Sequence, residues 1–180
     1  MSADTLHIRP ATPADLPVIV SLIRELAEFE KLGHMMVATE ETLADELFGP
    51  KSPAETLIGE AGGEPVAFAV IFHNFSTFLG KKGLYLEDLY VRRDARRQGY
   101  GKAMLLHVAR LAVERGCGRF EWMVLDWNEP AIKFYESMGA SILHEWKLAR
   151  VTGEALEQAS ASSNRPSLER ETPRAVAAFV

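Results

Sequence analysis

The run Arg96-Arg97-Gln98-Gly99-Tyr100-Gly101-Lys102 constrains this chain more than any other, because an apolar strand-like segment enters it and an amphipathic segment leaves it. Leu84 to Val91 (LYLEDLYV) has the length and aromatic content of a strand, and the polar RRDAR segment ends it. Beyond the turn, Met104, Val108, Leu111 and Ala112 recur at helical spacing, so one face of that helix is expected to pack on a sheet. Two glycines one residue apart let a backbone approach a ligand closely, and the first amides of a helix have no internal partner. With the helix dipole and the charges of Arg96, Arg97 and Lys102, the turn suits an anion such as a pyrophosphate. It also reads as ordinary punctuation between strand and helix. No G-x-x-x-x-G-K-[ST] occurs and no G-x-G-x-x-G follows a strand, so nucleoside triphosphate and dinucleotide sites lose their usual support.

The remaining elements fall around that turn. Leu6 to Arg9 reads as a first strand. Thr12, Pro13 and Asp15 make a helix start of the capping-box type, followed by the apolar stripe Leu16, Ile19, Val20, Ile23, Leu26 and Ala27. A second helix is expected from Thr39 to Phe48, with Gly49-Pro50 as its stop. Thr56 to Glu60 and Val66 to Phe72 read as a hairpin around Gly62-Gly63-Glu64-Pro65. After the central strand and its helix, Phe120 to Leu125 reads as a strand, Glu129 to Met138 as a helix, Ser141 to Val151 as two short strands or one bent one, and Glu154 to Glu157 as a turn of helix. This order predicts an α+β, or mixed α/β, domain with a mostly antiparallel sheet and one parallel pair.

A second constellation sharpens the reading. Val124 to Ala140 (VLDWNEPAIKFYESMGA) runs from an apolar segment into Asn128, then a short helix carrying Ala-x-x-Phe-Tyr, then Gly-Ala. Together with Arg96 to Lys102 it resembles the GNAT superfamily of acetyl-CoA-dependent N-acetyltransferases. Tyr85-Leu86-Glu87-Asp88, Trp127 to Pro130 and Phe134-Tyr135 are most similar to the diamine (spermidine/spermine) and thialysine N-acetyltransferases. The resemblance runs from about Ile8 to Leu156 and implies a splayed central sheet with coenzyme A in the opening.

What the resemblance implies can be set residue by residue. The backbone of Leu89, Tyr90 and Val91 is expected to hold the pantetheine arm and polarise the acetyl carbonyl. Arg97, Gln98, Gly99, Tyr100, Gly101 and Lys102 are expected around the pyrophosphate, with Arg96 opening the motif. Asn128, with Glu129, Pro130 and Ala131, is expected along the coenzyme; Asn128 also reads as a helix N-cap. Tyr135 matches the tyrosine that protonates the departing thiolate, and equally reads as an aromatic packing its helix. An alkylamine with a pKa of about 10.4 arrives protonated, so a base is needed; Glu87 matches that base, acting through water. Phe29, Glu30, Asp88, Glu121, Trp122, Met123 and Glu145 are candidates for the acceptor site. Period-two alternation sets Glu87 and Asp88 on opposite faces unless a bulge intervenes. The expected reaction is direct attack of a small cationic amine (polyamine, diamine or thialysine-like amino acid) on acetyl-CoA in a ternary complex. Transfer to a protein or aminoglycoside amine, and a non-catalytic acyl-CoA-binding module, stay open. Where the polyamine enzymes have Tyr-Glu this chain has Phe29-Glu30, and the loop from Gly139 to Trp146 is shorter.

The 180 residues carry a formal net charge of -5, which argues against nucleic acid as a partner. The single Cys117 excludes an internal disulfide, and the five histidines lack metal-ligand spacing, so no metal is expected. The longest apolar run, Val66 to Phe72, is too short for a bilayer, and the N-terminus lacks a signal-like apolar region. A cytoplasmic enzyme is expected. The resemblance adds a homodimer. Residues 1–157 read as one domain and 158–180, rich in Ser, Asn, Pro and Arg, as a mobile tail.

Overall fold

The computed structural model describes residues 5–162. The chain parts into two compact units between Trp127 and Asn128. The first unit holds a five-stranded sheet in the order β1 (His7–Pro10), β2 (Glu55–Ala61), β3 (Glu64–Ser76), β4 (Lys81–Val91) and β5 (Phe120–Trp122). Neighbours are antiparallel except β4 and β5, which run parallel and are joined through helix α3 (Tyr100–Glu114). The chain is therefore a mixed α+β protein, as expected from its element order.

The capping box read at Thr12 and Asp15 closes a short 3-10 turn, Pro13–Asp15, that leads into helix α1 (Leu16–Phe29), and helix α2 (Glu40–Phe48) is capped by Thr39, which was not read as a cap from the sequence. The Thr12 amide and hydroxyl both donate to Asp15 Oδ2, at 2.7 and 2.8 Å. Thr39 accepts the Thr42 amide at 3.2 Å. Ile19, Leu22 and Leu26 of α1 pack with Ile58, Phe68, Val70 and Tyr90 on one face of the sheet, and Leu47 and Phe48 of α2 close that cluster. The alternate residues face α3. Gly59 leaves room there for Met104, whose sulfur would stand 3.0 Å from an added Cβ, and Met104, Leu105 and Val108 are buried. Burial of both faces explains why Ala67 to Ile71 is apolar without alternation. No helix among the described residues is long and apolar enough to cross a membrane.

Three expectations need correction. The strand expected over Phe120 to Leu125 ends at Trp122, because its ladder with β4 stops at the Leu86–Trp122 pair. The residues Ser141 to Val151, expected as strand, form none. A strand needs a ladder partner, and the regular elements in the described part of the second unit are two helices, α4 (Glu129–Ser137) and α5 (Glu154–Ser162). Helix α5 is longer than the single turn expected and takes up the first residues of the stretch read as tail. Residues 163–180 of that stretch lie outside the described residues.

Candidate active site

A β-bulge at Glu87 organises the site. Val70 pairs with Asp88 but Ile71 pairs with Leu86, so Glu87 is an extra residue in β4 with no partner on β3. This slips the phase of everything after it. Before the bulge, the Leu84 amide points away from β3 and donates to the Arg119 carbonyl at 3.0 Å. After it, the Arg92 amide points toward β3 and donates to the Val66 carbonyl at 2.9 Å, so by alternation the backbone groups of Leu89 and Val91 point away. They face the side where β5 has stopped pairing, and no described strand covers them there. An open edge of this kind is a ready acceptor for an extended amide-bearing ligand.

The turn that follows is a cradle of main chain. Arg97 and Gly99 both take left-handed conformations, with φ of 66° and 82°, and Gly99 caps α3. The first amide with a helical partner is that of Ala103, which donates to the Gly99 carbonyl at 2.9 Å, so the amides of Tyr100, Gly101 and Lys102 precede the ladder. A Cβ on Gly99 would meet nothing within 4 Å, and one on Gly101 only Val91 Cγ2 at 3.7 Å, so the cradle is open. Arg97, Gln98 and Lys102 are exposed around it, whereas the Tyr100 ring is buried, its hydroxyl donating to Gln98 Oε1 at 3.2 Å. The turn thus combines amides that precede the helix ladder, the helix dipole and two exposed cations, which fits a pyrophosphate.

Arg96 stands apart from these cations. Its guanidinium lies 4.6 Å from the centre of the Phe29 ring and 5.0 Å from that of Tyr90, and its Nε donates to the Val91 carbonyl at 3.0 Å. It ties the end of α1 to the free edge of β4.

On the α1 face, the pairing of Phe72 with Tyr85 and of Val70 with Asp88 shows that the bulge keeps Asp88 and Tyr90 on the side of α1. Burial, and then the nearby charges of Glu87 and Glu30, push the Asp88 carboxyl up to about 6. Glu30, at the end of α1, is likewise raised by burial. Glu87 is exposed at the bulge. Phe29 packs against Trp127 with ring centres 6.2 Å apart, and the Lys31 ammonium lies 5.9 Å from the Trp127 ring. Glu121 is held by internal partners: Asn74 Nδ2 donates to its Oε2 at 2.8 Å, and Arg119 Nε pairs with the same oxygen at 2.8 Å. Trp122 of β5 pairs with Leu86 of β4, and its ring lies 4.7 Å, centre to centre, from that of Phe120; Met123 is exposed just beyond.

The second unit carries the other candidates. Asn128 occupies the N-cap position of α4, but its side chain makes no capping bond; its carbonyl accepts the Ala131 amide at 3.0 Å. Pro130 sits in the first turn, and Glu129 reaches Lys133 at 3.4 Å. Burial raises the Tyr135 phenol above its usual range, and its ring lies 5.5 Å from that of Phe134. Glu145 is exposed in the segment without regular structure. Lys31 was not singled out from the sequence, and Trp127 was read only as part of the Trp127 to Pro130 motif, not as a site residue. They join the site through a ring contact that spans almost a hundred positions, and no local pattern announces such a contact.

Residues 21–140 match the model of the acetyltransferase (GNAT) family. The L-ornithine N5-acetyltransferase NATA1 of Arabidopsis thaliana is 37% identical, over 84% of this chain and 86% of that protein. The thialysine N-epsilon-acetyltransferase of Sus scrofa is 38% identical, over 84% of this chain and 95% of that one. Among solved structures, an integron cassette protein from the mobile metagenome of V. cholerae superposes with a TM-score of 0.73 at 26% identity, covering 89% of this chain and 98% of that one. With a family match that spans both the open strand edge and the helix bearing Tyr135, this chain belongs to the GNAT acetyltransferase family.

Proposed function

We propose that the protein moves the acetyl group of acetyl-CoA to a primary amine of a small cationic acceptor by direct attack in a ternary complex. The observation that carries the reading is the bulge at Glu87, which brings a freed backbone edge and an acidic pair to the same point of β4. The donor's pantetheine arm lies along Leu89, Tyr90 and Val91, and its pyrophosphate in the turn from Arg97 to Lys102. Asn128 to Ala131 orient the arm, the Asn128 side chain being uncommitted to capping. Backbone amides aimed at the acetyl oxygen contribute roughly 3 to 4 kcal/mol as charge develops on it.

The acceptor's ammonium is held by Asp88 and Glu30, whose burial beside like charge is relieved when a cation arrives. Glu87, exposed to solvent, takes the amine proton through water. The amine nitrogen then attacks the acetyl carbonyl, the C–N bond forms and the C–S bond breaks. The leaving thiolate takes its proton from Tyr135, whose raised pKa keeps the phenol protonated at neutral pH, and the second proton shed by the nitrogen as the amide forms passes through water to restore the phenol. The relatives named for ornithine and thialysine support a small diamine-bearing acceptor.

The second unit exposes Leu143, Trp146, Leu148 and Val151, which supports a homodimer in solution. The lone Cys117 fits a reducing cytoplasmic setting. The test of the activity is free-thiol release from acetyl-CoA by the purified protein with ornithine, thialysine, lysine, putrescine and spermidine. Turnover with at least one is expected, and silence with all of them overturns the reading.

A further inference from the structure

We propose that the acceptor is an α-amino acid with an amine on its side chain, and that Lys31 receives its carboxylate. This rests on the reading that Glu30, Glu87 and Asp88 receive an amine. Charge is ordered along the end of α1. Glu30 lies close enough to Asp88 to act on its charge, while the next residue, Lys31, directs its ammonium to the Trp127 ring at 5.9 Å. Trp127 packs on Phe29, and Phe29 on Arg96, so the aromatic wall that Lys31 joins ends at the edge of β4. An acidic floor is thereby bordered by a cationic rim.

The backbone at Lys31 points the same way. Its φ is 62°, in the left-handed region where glycine is usual at the end of a helix. The bonds that close α1, from the Lys31 amide to the Glu28 carbonyl at 3.1 Å and from the Leu32 amide to the Ala27 carbonyl at 2.8 Å, need that conformation but not a lysine. A cation near a helix C-terminus is favourable for the dipole alone. The dipole does not account for placing the ammonium over Trp127, on the side of the acceptor residues. A polyamine, positive at both ends, sets its far ammonium against Lys31. An amino acid offers its side-chain amine to the acidic floor and its carboxylate to the rim.

Ornithine and putrescine, like lysine and cadaverine, differ only by the carboxylate, so the ratio of their kcat/KM values isolates its contribution. The native protein is expected to favour the amino acid of each pair by about fivefold or more. Lys31→Met is expected to erase that preference by lowering kcat/KM for the amino acids while leaving putrescine and cadaverine unchanged, and Lys31→Glu to invert it. Lys31→Gly removes the charge while relaxing the backbone, so a loss there cannot be assigned to misfolding. Native preference for putrescine, or an equal fall on both members of a pair in Lys31→Gly, overturns the inference and leaves acetyl transfer standing. No turnover on any amine removes both.

Discussion

Asp15 and Asp88 are both carboxylates drawn out of water, and the chain treats them in opposite ways. Asp15 is gripped by Arg9, whose Nη1 and Nη2 donate at 2.8 and 2.7 Å, and by Thr12; the guanidinium holds the carboxyl far below the usual range. Arg9 also donates to Glu60 on β2, so one cation fastens the first strand, the start of α1 and the second strand. Asp88 is set instead beside Glu87 and Glu30, and its carboxyl is pushed up to about 6. A paired charge serves the cohesion of the fold, whereas a buried carboxylate set beside like charge marks a candidate binding site, and this difference separates the two carboxylates without reference to any relative.

The comparison breaks most visibly in activity. Asp88→Asn is expected to lower kcat/KM for the amine by about 10² to 10³ and to remove an acid limb near pH 6, whereas Asp15→Asn leaves turnover per folded molecule unchanged. Stability follows the opposite pattern. Asp88 has a folded pKa above its unfolded value of 3.8, so its contribution is most favourable below that value and is lost as pH rises through about 6. Asp88→Asn should therefore raise the melting temperature at pH 8 and not at pH 4, an effect on the order of 2 kcal/mol. Asp15, with its pKa lowered, stabilises above the unfolded value and loses that contribution only in strong acid.

Removing the grip is expected to cost about 2 to 3 kcal/mol: Arg9→Met leaves Asp15 buried without its cation, and a lower urea midpoint at constant slope checks it while kcat stays the same. The smallest effect concerns the other clasping arginine. Arg96→Gln is expected to weaken donor use about fivefold through loss of the ring contacts and the hold on the Val91 carbonyl. The loss should be the same with acetyl-pantetheine, which lacks the pyrophosphate. A defect confined to full acetyl-CoA would return Arg96 to the phosphate turn.

Local chemistry made some of this legible in advance. The turn from Arg96 to Lys102 was readable because glycine spacing, flanking charge and the change of period all act within a few residues. The capping box at Thr12 and Asp15 was readable for the same reason. The bulge was not, since it arises from matching Ile71 to Leu86 and Val70 to Asp88 across two strands, and nothing in LYLEDLYV marks Glu87 as the surplus residue. The early end of β5 is likewise set by pairing across strands, its ladder with β4 stopping at the Leu86–Trp122 pair, and was hidden for the same reason. Arg96 looked like one cation among three. Its real neighbours, Phe29 and Tyr90, are brought to it by the packing of α1 on the sheet.

The bulge also sets how such a site can be gained or lost. With Glu87 standing outside the ladder, Leu86 stays opposite Ile71 and Asp88 opposite Val70, so the surplus residue adds an exposed carboxylate where the strand bends without moving its neighbours to the other face. Excising Glu87 is therefore expected to keep Asp88 on the side of α1 and Leu89 and Val91 on the open edge while removing the carboxylate and the local bend, a narrower lesion than a change of register.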